Sequence, residues 1–73
     1  MAHTKHIQAH YDPDARAWWA ESGDLPGLVS EAPTLDALMD RVAAVVPELL
    51  AVGGAQPGPV RLEFHAIRVL QPA

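Results

Sequence analysis

The residues in this 73-residue chain whose types suggest metal chemistry are its four histidines, because imidazole is a common zinc ligand. His3, His6 and His10 lie near the N-terminus, and His65 lies near the C-terminus. The segment Lys5–Tyr11 alternates apolar and polar residues, which predicts a strand. On a strand, His6 and His10 share a face, but their Cα atoms are about 13 Å apart, too far for one ion. We therefore expect surface imidazoles, with no metal site and no cofactor.

The residue types and their spacing do not predict catalytic groups either. The chain has no cysteine, and its hydroxyl groups occupy positions typical of strands or helix caps. Asp12 and Asp14 lie in a turn motif, whereas Asp36 and Asp40 fall one helical turn apart on a polar helix face. Since no two carboxylates lie in an apolar strand where they could share a proton or metal, we expect no catalytic residues and no enzyme.

Turn signals divide the chain into four strands and one helix. Asp12-Pro13-Asp14-Ala15 is typical of a type I hairpin turn, and Pro26 with Gly27 interrupts the following pattern. Thr34 predicts a helix N-cap, after which apolar residues recur every three or four positions. The predicted strands are Lys5–Tyr11, Arg16–Ser22, Leu28–Glu31 and Val60–Leu70, with the helix between Leu35 and Gly53.

Two of these segments contain residues that do not fit the regular pattern, the helix at Pro47 and the last strand at Ile67. Pro47 lacks the amide that would bond the Ala43 carbonyl, so we expect a kink or a break in the helix there, and we expect Gly53 as a left-handed cap. In the last strand, Ile67 and Val69 have the opposite parity to the apolar residues before them. Either a bulge near His65–Ala66 shifts the register, or the outer sheet face carries an apolar patch.

The element order predicts one α+β domain over residues 1–73, a β-β-β-α-β two-layer sandwich with one helix on a four-stranded mixed sheet. One helix covers one face of such a sheet, so the other face meets water or another molecule. Trp18 and Trp19 bear on this directly, because adjacent strand residues point to opposite faces. We expect Trp18 under the helix and Trp19 on the uncovered face, near Ile67 and Val69, as part of a protein interface.

Charge and targeting signals narrow the classes of partner. Five Lys and Arg residues against nine Asp and Glu give a formal charge of −4, which disfavours nucleic acid and suits a basic protein or simply solubility. No apolar run is long enough to span a bilayer, and the N-terminus lacks the apolar stretch of a signal peptide. We therefore expect a cytoplasmic protein without membrane contact.

The run Trp18–Leu28, with its Asp24-Leu25-Pro26-Gly27 motif, followed by Thr34–Leu38, resembles the HicB-like antitoxin superfamily. Within it, the chain is most similar to a short bacterial branch of unknown function in which a run like Pro47–Leu50 ends the helix. The resemblance implies a partial ribonuclease-H-like fold with the last strand beside the first and parallel to it. It also implies a protein that neutralises a small basic ribonuclease toxin by direct binding.

Two departures from that family shape the functional expectation. The chain ends at Ala73, where typical members continue into a DNA-binding segment, so we expect no DNA binding by this chain. Ala32-Pro33 also stands where antitoxins often have Gly-Asp, so the resemblance to the toxin-binding members is incomplete at this position.

We expect a non-enzymatic interaction module that forms homo-oligomers through the open sheet face and contacts a basic toxin there. The alternative is a single-stranded nucleic-acid or small-ligand binder that uses the same face. The expected interface residues are Trp19, Glu21, Asp24, Glu31, Ile67 and Val69, and the expected structural residues are Trp18, Pro26, Gly27, Thr34 and Pro47.

Overall fold

The computed structural model describes residues 3–54 and 58–70. Its elements follow the order β-β-β-α-β and form a four-stranded mixed sheet with one helix, which confirms the predicted α+β class. The bounds are β1 His3–Asp12, β2 Ala17–Glu21, β3 Ser30–Ala32, α1 Leu35–Val52 and β4 Val60–Ile67.

The sheet has the strand order β3-β2-β1-β4. β1 pairs antiparallel with β2 and parallel with β4, and β2 pairs antiparallel with β3. The hairpin between β1 and β2 forms as expected, because Asp12 Oδ1 accepts hydrogen bonds from the amides of Asp14 (3.0 Å) and Ala15 (3.4 Å). This order places β1 at the centre of the sheet, with β3 and β4 at its edges.

Helix α1 begins at the predicted cap, where Thr34 Oγ1 accepts a hydrogen bond of 3.1 Å from the Ala37 amide. Its buried residues are Leu38, Val42 and Val46, spaced four apart on one face. In the described part of the chain, no helix is both long enough and apolar enough to cross a bilayer.

Of the two alternatives at Pro47, a kink or a break, the break does not occur, since α1 continues through this residue to Val52. Pro47 lies on the exposed side of the helix, so water can reach the Ala43 carbonyl that loses its intrahelical donor. The left-handed residue at the end is Gly54, with φ of 77°, rather than Gly53, with φ of −76°. The Gly54 amide bonds the Ala51 carbonyl at 3.1 Å, closing the helix one residue later than predicted.

A line of small side chains crosses the sheet beneath the helix. Ala9 on β1 pairs with Ala20 on β2, which pairs with Ser30 on β3, and both alanines are buried. Because these side chains are short, the apolar stripe of α1 can approach the sheet closely, and the helix packs mainly against β3 and β2. The core therefore lies on one side of the sheet, as the sequence predicted.

Ser22 and Asp24, at the start of the Asp24-Leu25-Pro26-Gly27 segment, connect the end of β2 to the middle of β1 through hydrogen bonds. Ser22 Oγ donates to the His6 carbonyl at 2.6 Å, and Asp24 Oδ2 accepts from the His6 amide at 2.8 Å. Both backbone groups of His6 are thus satisfied by side chains where the β1–β2 ladder has ended. Asp24 is therefore held by the backbone of its own chain.

The same motif places a side chain in the core. A turn closes from the Leu25 carbonyl to the Leu28 amide at 3.1 Å, and Gly27 has a φ of 89°, as the third position of a type II turn after proline requires. Leu25 and Leu28 are both buried. Because Leu28 belongs to this turn, β3 starts at Ser30 and not at the predicted Leu28.

Strand β4 contains no bulge. Its pairing with β1 runs without interruption from His3 opposite Val60 to His10 opposite Ile67. Of the two alternatives, an apolar residue on the outer face is therefore correct for Ile67. The strand ends there, however, so Val69 lies beyond the sheet and is 74% exposed.

Replacing Leu25 with alanine tests how much the motif contributes to stability. Leu25 is 2% exposed, and truncation of such a side chain costs about 2–5 kcal/mol of unfolding free energy. We expect the midpoint of thermal unfolding, measured by circular dichroism, to fall by about 10 °C or more. The matched control is Val29→Ala in the same loop, where the side chain is 90% exposed and the midpoint should stay nearly constant. Equal shifts for the two variants would show that Leu25 is not a core residue.

Candidate interaction surface

The sheet face opposite the helix carries mostly polar side chains. Strand alternation and the pairing register place on it the even-numbered residues of β1 and the odd-numbered residues of β2, β3 and β4. We call this the open face and define it by ten of these residues: His6, Gln8, His10, Trp19, Glu21, Glu31, Arg61, Glu63, His65 and Ile67. No described element packs over it, so these side chains are available to another molecule.

The two largest apolar groups of the open face lie in one line across all four strands. Glu31 on β3 is opposite Trp19 on β2, Trp19 is opposite His10 on β1, and His10 is opposite Ile67 on β4. The Trp19 indole stacks on the His10 imidazole, with 4.4 Å between ring centroids and 20° between planes. Trp19 remains 39% exposed and Ile67 41% exposed. The line thus offers an ordered aromatic ring and an aliphatic side chain with a carboxylate at one end.

His10 is held from a second direction by Glu21. The Glu21 Oε2 atom lies 2.8 Å from His10 Nε2, and this nitrogen is buried even though the ring as a whole is partly exposed. The two atoms are close, but their alignment does not meet hydrogen-bond geometry, so the contact is an ionic or polar one that attracts when the imidazole is protonated. Stacking and this contact together fix the ring on which Trp19 rests.

A second polar cluster lies toward the other end of β1. His6 Nδ1 is 3.3 Å from Glu63 Oε2 and 3.4 Å from His65 Nε2, and the two imidazoles stack at 5.6 Å. Arg61 also approaches Glu63, at 3.6 Å. Over residues 3–54 and 58–70, no three His, Cys, Asp or Glu side chains have an arrangement suited to a metal ion. The cluster therefore presents exposed charge and hydrogen-bonding groups.

Of the residues expected at the interface, the structure brings Trp19, Glu21, Glu31 and Ile67 together on the open face. Asp24 is occupied by the His6 amide, and Val69 lies outside the sheet. The histidines were expected at the surface but not at the interface. The parallel pairing of the first and last strands was expected from the resemblance, but the register that places His65 beside His6 was not predicted.

Trp18 takes the opposite role from its neighbour. Its ring packs against the core and contacts Tyr11, with 5.3 Å between centroids and 60° between planes. The Arg68 guanidinium lies over the Tyr11 ring, 4.2 Å from its centroid. The predicted division of the two tryptophans between the faces is therefore found, with a cation–π contact closing the helix side.

Fold and surface together define a small α+β domain with a closed helix side and an open, acidic and histidine-rich sheet face. The chain belongs to the family described as Domain of unknown function (DUF1902), whose profile matches residues 4–72.

Comparison with solved structures gives the same fold. The chain is 46% identical to the hypothetical protein TTHA1013 from the extremely thermophilic bacterium Thermus thermophilus, whose crystal structure superimposes with a TM-score of 0.81. The match covers 93% of this chain and 97% of that protein. No curated protein shows significant sequence similarity to the chain.

Substituting each tryptophan in turn tests the division of the two faces. Trp18→Ala removes a half-buried ring from the core side and should lower the unfolding free energy by roughly 2–3 kcal/mol, below the range for a fully buried tryptophan. Trp19→Ala removes a ring stacked only on the surface and should cost about 1 kcal/mol. Urea unfolding followed by circular dichroism measures both changes. The reverse order of stability would mean that the faces are assigned the wrong way round.

Proposed function

We propose that this protein is a non-enzymatic interaction module whose open face binds a small basic protein. The observation that carries the proposal is the placement of Trp19, an ordered and partly exposed indole flanked by the carboxylates of Glu31 and Glu21. Tryptophan is enriched among residues that dominate binding energy, and surrounding acids attract a cationic partner.

The HicB-like resemblance supplies the nature of the partner in this proposal. Neutralisation of a small basic ribonuclease toxin is supported by the similarity of Trp18–Leu28 and Thr34–Leu38 to such antitoxins. The net charge of −4 supports a cationic partner independently of that resemblance. A cytoplasmic location goes with the proposal, since the chain has no cysteine with which to form structural disulfides.

Association of two copies through their open faces is a weaker alternative. Such a pairing would bring the carboxylates of Glu21, Glu31 and Glu63 on one copy toward the same groups on the other, with Arg61 as a balancing cation. Like charges placed opposite each other across an interface cost affinity. The open face therefore suits a different, basic molecule better than it suits itself.

The alternative of single-stranded nucleic acid relies on Trp19 as a stacking platform. One side of its ring already rests on His10, and the neighbouring Glu21 and Glu31 would repel phosphate groups. An increase in salt should therefore weaken binding to a basic protein, while added oligonucleotide should leave the tryptophan fluorescence unchanged. A salt-sensitive fluorescence change with oligonucleotides would favour the nucleic-acid function instead.

Co-expression with the product of a neighbouring small reading frame that encodes a basic protein tests the proposal. We expect the two proteins to copurify and the Trp19→Ala variant to bind roughly thirtyfold more weakly, as loss of a central tryptophan typically causes. Glu31→Lys should also weaken binding because it replaces attraction to a basic partner with repulsion. Affinity is measured by isothermal titration calorimetry.

A control variant separates surface chemistry from folding. Asp40→Lys makes the same change of charge on the exposed side of α1 and should leave affinity within about twofold, since exposed charges far from an interface are well screened. If Asp40→Lys and Glu31→Lys weaken binding equally, only the net charge matters and the open face is not the binding site. If no basic neighbour copurifies, the antitoxin part of the proposal fails.

A further inference from the structure

The two edge strands of the sheet, β3 and β4, differ greatly in how much backbone they offer for pairing with another strand. β3 has three residues and is followed directly by Pro33, so it offers little backbone for pairing. β4 has eight residues, contains no proline, and pairs with β1 without a bulge. Within residues 3–54 and 58–70, β4 is hydrogen-bonded to a strand on one side only. A long, regular edge of this kind is a template for pairing with another strand.

We propose that a second copy of this chain pairs with β4, antiparallel and about a twofold axis, to form a continuous eight-stranded sheet. This contact differs from the binding surface of the proposed function because its hydrogen bonds come from the backbone edge of β4; Glu63 and His65 on the open face border both. An axis perpendicular to the sheet leaves both helices on one side and both open faces on the other. The dimer would then present two partner-binding faces in the same direction.

The side chains of β4 select the register of this pairing. Opposed residues in an antiparallel ladder share a face, so the axis must pass midway between one residue of β4 and the same residue of the second copy. An axis at Glu63 would place two glutamates opposite each other, which is destabilising. An axis at Phe64 avoids this, pairs Glu63 with His65 of the second copy, and aligns residues 61–67 of both strands. An axis at Leu62 also gives opposite charges, Arg61 against Glu63, but aligns only residues 60–64.

The helix side of β4 supports the Phe64 register. Leu62 and Phe64 pack against the core but are only partly buried, because α1 lies mainly over β3 and β2. With the axis at Phe64, the two phenylalanines would lie opposite each other and each Leu62 would lie opposite Ala66 of the second copy. Leu62 and Phe64, both only partly buried in one copy, would thereby become more buried in the dimer. For a short chain without cysteines, burial between copies is an effective source of stability.

A pair of complementary charge variants tests this dimer by sedimentation velocity. In the Phe64 register, His65→Glu places glutamates opposite each other twice per dimer and should weaken dimerisation roughly tenfold. Glu63→Lys places lysine opposite His65 and should also weaken it. An equimolar mixture of the two variants should recover the dimer. In that mixed dimer the lysine introduced at position 63 faces the glutamate introduced at position 65, and the other pair keeps its natural residues.

Three other outcomes would contradict the dimer or its register. A wild-type monomer at about 100 μM, well above the dissociation constants of stable dimers, overturns the proposal. A wild-type dimer that His65→Glu leaves intact places the interface away from the Phe64 register. The control is Glu31→Lys on the opposite edge strand, which should leave the dimer intact; its dissociation would place the contact at β3 or on the open face. Circular dichroism of every variant excludes loss of folding as the cause.

Discussion

In the part of the chain that the structure describes, a single helix covers one face of a four-stranded sheet, and the other face stays uncovered. Short side chains at Ala9, Ala20 and Ser30 let α1 lie close to the sheet, and Leu38 and Val42 fill the space above them. Within residues 3–54 and 58–70 no second helix lies on the opposite side of the sheet, so no apolar layer covers it there. That side therefore carries polar groups, together with the few apolar groups that a partner can cover.

The division between the faces explains why adjacent tryptophans can have unrelated roles. Trp18 belongs to a chain of contacts that runs through Tyr11 to Arg68 and closes one end of the core. Trp19 is held on the other side by His10, which Glu21 approaches in turn. An exposed ring that is already ordered loses little conformational freedom on binding, which makes it suitable as an anchor.

Local sequence patterns predicted the elements well because their signals are local: alternation in β1, the Thr34 cap and the helical spacing after it. The predicted element bounds were wrong where tertiary packing determines the local backbone structure. Pro47 is tolerated since it faces water, and Leu28 leaves the third strand because Leu25 and Gly27 draw it into a core turn. The separation of Trp18 from Trp19 followed from strand alternation alone. The clustering of His6 with Glu63 and His65 depends on a parallel pairing between distant segments, so spacing along the chain could not show it.

In the proposed function, the open face binds a partner while the helix side remains closed. The chain has two tryptophans, one on each side of the sheet, so the two indole N–H signals in a ¹H–¹⁵N correlation spectrum report on each side separately. On titration with the copurified basic protein, we expect the Trp19 signal to shift or broaden while the Trp18 signal stays in place. A complex that forms while the Trp19 signal is unchanged, or that moves only the Trp18 signal, would contradict it.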